Sequence, residues 1–213
     1  MNNVQTGIVI AIDGPAGVGK STIAHRVADA LGLYFLNSGN FYRAITWKLL
    51  QLGRDPENEE QVVATAHEID LSVKDGKVHV DGKDIEKALH TDKIDQYVAA
   101  HSAIIPVRLI VNEHLRNLAR QGLNLVGEGR DLTTVVFPDA TCKIFLDAEP
   151  SVRAKRRFDQ QATAMTLEQL AQSIEERDNI DRNKPFGALR VASDAEYIDS
   201  SYLTIDEVYE KVL

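Results

Sequence analysis

The sequence predicts an α/β fold, a parallel sheet with helices on both faces, carrying a small antiparallel β insertion. Three observations predict it. Short apolar runs rich in β-branched residues alternate with longer stretches of helical periodicity, which is the pattern of a parallel sheet wound with helices. The first of these runs ends in a glycine-rich turn that leads straight into a helix. Residues 70–85 instead alternate polar and apolar side chains and hold two Asp-Gly pairs, which belong to hairpins and not to a parallel core. A chain of 213 residues has room for one such core with a small insertion.

The elements follow in order. Ile8–Asp13 is a nearly continuous apolar run, suited to a buried parallel strand. Gly14–Gly19 cannot extend it. From Lys20 to Leu31 apolar residues recur at helical spacing, and Gly32 supplies the stop. Leu33–Leu36 reads as a second strand, and Phe41–Leu52 and Glu59–Glu68 as helices. The alternating segment contains Asp75-Gly76 and Asp81-Gly82, where a type I′ turn places both central residues at positive φ. The insertion is expected to begin near Val63 and to return to helix by Asp95. Pro106–Gln121 reads as a helix closed by Gly122. Leu123–Gly127 and Lys143–Leu146 are two further core strands. Pro150–Gln160 and Thr166–Asp178 are charged helices, the second opened by the capping box Thr166-x-x-Gln169. Tyr197–Asp199 is the last expected strand, and Thr204-x-x-Glu207 caps a final helix to Leu213.

Composition narrows the function classes. The net charge of −8 argues against a general nucleic-acid surface, because a polyanion is repelled unless basic residues cluster locally. One cysteine, Cys142, leaves no internal disulfide. Residues 1–7 are polar and carry no leader pattern, and no apolar run reaches the ~20 residues of a membrane span. A monomeric cytoplasmic protein with neither nucleic-acid nor membrane partner is the expectation.

The turn after the first strand reads Gly14-Pro15-Ala16-Gly17-Val18-Gly19-Lys20-Ser21. It matches the phosphate-binding pattern G-x-x-x-x-G-K-[ST] in full, with a strand before it and a helix after it. Glycines let the backbone curl so that successive N–H groups point inward at phosphate oxygens, and the helix start adds its positive dipole end. Lys20 is the mobile charge for the β- and γ-phosphates, and Ser21 is a hydroxyl ligand for Mg²⁺. The fold expectation therefore becomes a P-loop NTPase-type sheet. Other polar residues must choose the reaction. Ser38, Tyr42 and Arg43 follow the second strand, where a second substrate sits in an open α/β sheet, or else they belong to a capped surface helix. Gly127-Glu128-Gly129-Arg130-Asp131 follows a later strand. Glu128 is placed to orient a metal-bound water, Arg130 to grip a phosphate, and Asp131 to accept from an amino group. The alternative is a turn with a solvated ion pair. Arg153, Lys155, Arg156 and Arg157 form one basic cluster, and Arg177, Arg182 and Lys184 another. They read either as a lid that brings cations onto transferring phosphate or as solvated helix faces. The six histidines show no metal-ligand spacing.

In chain order, IAIDGPAGVGKST, NSGNFYR, EGRDLTTVVFPDA, KIFLDAEPSVRAKRR and ERDNIDRN together resemble bacterial cytidylate kinases, the (d)CMP kinases of the nucleoside monophosphate kinase group. The resemblance runs from about Ile8 to the C-terminus. It implies transfer of the γ-phosphate of ATP, with Mg²⁺, to CMP or dCMP. It implies a core of residues 1–62 and 102–213, a monophosphate-binding insertion over about 63–101, and a helical lid over about 153–184. Residues 14–22, from Gly14 through Thr22, would bind ATP, with Arg153 and Arg157 on the lid side of its phosphates. Ser38, Tyr42, Arg43, Arg130 and Asp131 would face CMP, Arg130 on its phosphate and Asp131 near the cytosine amino group. Arg177 and Asp181 would meet its sugar or phosphate, and Lys184 stands where the family has an arginine. Ser102 and Arg108 are the candidates for base contact. Lys20, Arg130 and Arg177 would carry catalysis. Asn37, Thr133 and Gly187-Ala188-Leu189 depart from the family pattern, which favours Asp, Gly and Ala-Pro-Leu there. A P-loop kinase of another nucleotide or small acceptor is the nearest competing enzyme. A nucleotide-dependent switch is the competitor of another class, and the chain lacks its N-K-x-D guanine motif.

Overall fold

The computed structural model describes residues 7–74, 76–160 and 165–213. The leader reading of residues 1–6, Asp75 of the first Asp-Gly pair and positions 161–164 of the expected lid lie outside the described residues. The strands are β1 (Val9–Asp13), β2 (Tyr34–Asn37), β3 (Leu71–Lys74), β4 (Lys77–Val80), β5 (Lys83–Asp84), β6 (Leu125–Gly129), β7 (Cys142–Asp147) and β8 (Glu196–Asp199). The helices are α1 (Lys20–Leu31), α2 (Ser38–Gln51), α3 (Glu59–Glu68), α4 (Asp92–His101), α5 (Ile105–Arg120), α6 (Pro150–Gln160), α7 (Leu167–Asn183) and α8 (Ile205–Val212). No helix among the described residues is long and apolar enough to cross a membrane.

Five strands form one sheet in the order β2-β6-β1-β7-β8. β1 pairs in parallel with both β6 and β7, and β7 with β8. The β1 register sets Asp13 level with Gly129 on one side and Phe145 on the other, so β1 and β6 end together while β7 runs on two residues to Asp147. Ile12, Val126, Ile144 and Leu146 of the sheet pack with Ile23 and Val27 of α1 and with Val208 of α8. Each such side chain contributes about 2 kcal/mol on burial, which fixes the register of the central strands.

The chain separates into two compact units, one built from the stretches up to Phe35 and from Ala119 to Leu213, the other from Leu36–Leu118. The second holds α2 to α4, most of α5, and a three-stranded antiparallel sheet in the order β3-β4-β5. Both hairpins close through two residues, with Lys74 opposite Lys77 and Val80 opposite Lys83. At the second, Asp81 has φ 50° and Gly82 φ 78°, as a type I′ turn requires.

Three boundaries move from their expected places. β6 lies two residues later than Leu123–Gly127, because pairing with β1 draws Gly127, Glu128 and Gly129 into the ladder. Glycine is a poor strand former, but here it admits a neighbour: a Cβ on Gly127 would lie 3.0 Å from Leu132 Cδ1. α2 begins at Ser38 and not at Phe41, with Ser38 and Asn40 buried. α7 runs on to Asn183. It stops where Pro185 forces Lys184 out of the helical region, to ψ 144°. The stretch after Asp131, expected as loop, is a π-helical turn over Leu132–Val136. Its wide bonds run from Val136 N–H to Asp131 C=O and from Phe137 N–H to Leu132 C=O.

Candidate active site

In the first unit, β1 hands the chain to the glycine-rich loop with no room for a side chain. A Cβ on Gly14 would sit 2.1 Å from the Leu146 carbonyl oxygen, in the next strand of the sheet. Gly19, at φ 98°, occupies the N-cap position of α1, and no side chain caps that helix. No acidic residue stands in its first turn either. The opening N–H groups of α1 are therefore presented with their positive dipole end, as anion binding requires.

Lys20 lies in the first turn of α1 and is 4% exposed. Its ammonium donates to the Pro15 carbonyl at 2.7 Å, which folds the side chain back over the loop. Burial, followed by the positive charge of Arg130, lowers its pKa to about 7, against the pull of Glu128, Asp13 and Asp181. Ser21 donates its hydroxyl to the Glu128 carboxylate at the end of β6. The two offer hard oxygens of the kind Mg²⁺ takes when most of its shell is water and substrate phosphate. Among the described residues, no group of three or more His, Cys, Asp or Glu could hold a metal by itself.

Arg130 follows β6 directly. Its Nε–H donates to Asp181 Oδ2 at 2.8 Å and its Nη1 to the Gly129 carbonyl at 3.3 Å. Lys184 approaches the other Asp181 oxygen at 3.3 Å. Burial pushes the Asp181 carboxyl up, but Arg130, Lys184 and Arg177 outweigh it and hold the pKa at about 2. Arg130 is shifted the other way: burial lowers its pKa, and the carboxylates of Asp181 and Glu128 raise it further. Arg177 and Asp181 both lie on α7, and Lys184 is its C-cap residue. The alternative of a solvated ion pair at 127–131 does not hold, because Glu128 and Asp131 are each 5% exposed.

One residue here escaped sequence reasoning. Asp13, the last residue of β1, is fully buried. Its carboxylate accepts from Leu132 N–H at 3.0 Å, Thr133 N–H at 2.7 Å and the Thr133 hydroxyl at 2.7 Å. A charged residue closing an otherwise apolar strand was the signal, since such a residue is buried only with partners. Arg153, expected on the lid side of the ATP phosphates, is bonded to the loop itself. It lies on α6 at 2% exposure. Its guanidinium donates to the Ala148 carbonyl at 2.9 Å and the Ala16 carbonyl at 3.0 Å, and pairs with Asp178 at 2.6 Å. It braces the phosphate loop through Ala16. Arg157 is half-buried on α6, and Thr22 lies exposed on α1 beside Ser21.

In the second unit, Ser38 and Tyr42 are buried on α2. Asn37 makes no capping hydrogen bond, so the picture of a capped surface helix is not what forms. Arg43 pairs with Asp95 at 2.6 Å and donates to the Leu89 carbonyl at 3.0 Å, which ties α2 to α4 and to the turn before it. Arg108, 1% exposed on α5, donates to the Ser102 carbonyl at 2.8 Å and lies 5.5 Å from the Tyr42 ring centroid. That contact ties the start of α5 to the residue that ends α4. The Ser102 hydroxyl donates to the Ala99 carbonyl at 2.8 Å.

Comparison with known proteins adds to this geometry. The family model described as cytidylate kinase matches residues 10–213. A cytidylate kinase of Borrelia hermsii is 39% identical over 210 residues, covering 97% of this chain and 96% of the relative. One of Rhodopirellula baltica is 40% identical over 209 residues, with 97% and 91% covered. Among solved structures, an uncharacterized protein from Eubacterium ventriosum shares the fold at TM-score 0.55 and 11% identity, covering 96% of this chain and 95% of that one. A putative kinase from Chloroflexus aurantiacus does so at TM-score 0.50 and 13% identity, with 98% and 94% covered.

Proposed function

The chain belongs to the cytidylate kinase family, and we propose from that membership how its own residues carry the γ-phosphate of ATP to CMP or dCMP, leaving ADP and a cytidine diphosphate. The observation that carries the reading is that two cations from different elements are each held in place: Lys20 by the Pro15 carbonyl at 2.7 Å and Arg130 by Asp181 at 2.8 Å. The bond from Ser21 to Glu128 joins the two segments that carry them. Like charges held together under cover are stable with a polyanion between them, and a nucleotide triphosphate beside a monophosphate is such a polyanion.

Residues 14–22 hold ATP by backbone N–H groups and by Lys20. Arg153 supports that loop from behind, and Arg157 lies on the same helix. Ser21 and Glu128 fit Mg²⁺, which when bound neutralises charge on the β- and γ-phosphates. Arg130 grips the CMP phosphate, oriented by Asp181, while Lys184 and Arg177 keep the local field positive. Asp131 accepts from the cytosine amino group. Ser38, Tyr42, Arg43, Ser102 and Arg108 serve the acceptor nucleotide, and the segment 63–101 is the monophosphate-binding insertion. An oxygen of the CMP phosphate attacks the γ-phosphorus while the bond to the ADP oxygen breaks. The attacking group is already anionic, so alignment and charge neutralisation replace a general base. The segment 153–184 acts as the lid that excludes water, which would otherwise take the phosphoryl group.

We read the chain as a cytoplasmic monomer acting on small molecules, with the net charge of −8 disfavouring nucleic acid. A thermal-shift screen of nucleoside monophosphates, with and without a non-hydrolysable ATP analogue, tests the reading. CMP and dCMP should raise the melting temperature most. A larger shift with AMP, or none with any monophosphate, would refute the acceptor assignment.

A further inference from the structure

We propose that Asp13 is a positioning residue for phosphoryl transfer, with Thr133 as its partner. Its carboxylate fastens the turn that carries Arg130 and Asp131 to the strand end from which the phosphate loop springs. The inference rests on the acceptor roles just proposed for Arg130 and Asp131.

The argument is geometric. Asp13 immediately precedes Gly14, the first residue of the phosphate loop, and Leu132 and Thr133 immediately follow Asp131. One carboxylate therefore spans the donor loop and the acceptor turn. All three hydrogen bonds it receives come from these two residues of the turn. The backbone bonds of this turn begin with Val135 and Val136 N–H, both to the Asp131 carbonyl, so the Leu132 and Thr133 N–H groups at its entry have no partner within the turn and are taken by Asp13. A buried carboxylate is a costly way to fill a core position, and three convergent donors are what make it tolerable here. Thr133 adds the third donor with its hydroxyl.

Position matters here because the reaction relies on alignment. A displacement of about 1 Å between reacting groups costs about 10²-fold in rate. The charged groups facing Asp13 are Asp131 on the same turn and Lys20 after the phosphate loop. Burial raises the Asp13 pKa to about 6, while the bonds from Thr133 and Leu132 pull it down. Protonation removes acceptor capacity from one oxygen, so the clamp loosens as the pH falls through that value.

Initial-rate kinetics across pH on the full chain and two variants test the proposal. Asp13→Asn turns an amide N–H toward donors that need an acceptor. Its kcat/KM for CMP should fall about 10²-fold, with KM for ATP unchanged. Thr133→Val removes only the hydroxyl, keeps both backbone bonds and should fold as the parent does. With that bond gone the Asp13 pKa rises, so the acid limb of kcat/KM for CMP should move to higher pH. CMP and ATP titrate identically in parent and variant, so a displaced limb belongs to the protein. A parent chain that turns over CMP, with an Asp13→Asn variant matching it or a Thr133→Val limb that does not move, would overturn the inference alone. A parent chain that turns over no CMP overturns the functional reading beneath it, and the inference with it.

Discussion

Arg130, partly exposed, and buried Asp181 form an ion pair, Nε to Oδ2 at 2.8 Å, and Lys184 takes the carboxylate's second oxygen. One anion between two cations aims the Arg130 guanidinium and leaves net positive charge at the place proposed for the CMP phosphate. Asp181→Asn removes the carboxylate that both cations share and should destabilise the fold by about 3 kcal/mol, measured by urea denaturation at neutral pH. The pH dependence has a definite sign. The folded pKa of about 2 lies below the ordinary 3.8, so the stabilisation is complete above 3.8 and is lost as the pH falls toward 2. The gap between parent and variant should close over that window.

Arg130→Ala should lower kcat/KM for CMP about 10²–10³-fold, because it removes a charged contact that strengthens as charge spreads in the transition state. The Kd for an ATP analogue should hold, since the proposed ATP contacts are Lys20 and the backbone N–H groups. Arg130→Lys should recover little: a lysine keeps the charge but loses the fork that bonds Asp181 and phosphate together. Near-parental kinetics in either variant would refute the role.

The proposed contact of Lys20 with ATP links binding to pH. In the free chain its pKa is about 7, and bound phosphates raise it. A group whose pKa rises on binding supports affinity fully below the free value and progressively less above it. ATP affinity should therefore weaken above pH 7, by at most about tenfold per pH unit, with proton uptake visible by calorimetry in buffers of different ionisation heat. Lys20→Met should abolish the uptake. A pH-independent Kd would contradict the assignment.

Asp131, 5% exposed, is the proposed reader of the cytosine amino group. Asp131→Ala should bring kcat/KM for CMP and UMP closer together, chiefly by loss on CMP, because a buried acceptor discriminates by the partner it finds. An unchanged CMP-over-UMP ratio would count against it.

Most of the fold was legible because its signals are local. The apolar run of β1, the loop after it and the Asp-Gly hairpins are each decided by residues adjacent in sequence. β6 was misplaced by two residues because pairing with β1, more than a hundred residues away in sequence, overrides the poor strand propensity of Gly127 and Gly129. The π-helical turn at Leu132–Val136 has no propensity signature and depends on buried partners. Among the site residues, Lys20, Ser21 and Arg130 stand in motifs. Asp13 was passed over because its partners, Leu132 and Thr133, lie 119 and 120 positions away. The bracing of Ala16 by Arg153 was hidden likewise, across 137 positions. A basic cluster reads alike whether its members face solvent, phosphate or the back of a loop.

The measurement that bears most directly on the central claim is the fate of the γ-phosphate. The chain is incubated with Mg²⁺, γ-labelled ATP and one nucleoside monophosphate at a time, and the products are separated. The account predicts that label moves into CDP or dCDP in step with ADP release, with little free phosphate and slower transfer to UMP or AMP. Label released as inorganic phosphate, or passed faster to AMP or UMP than to CMP, would contradict it.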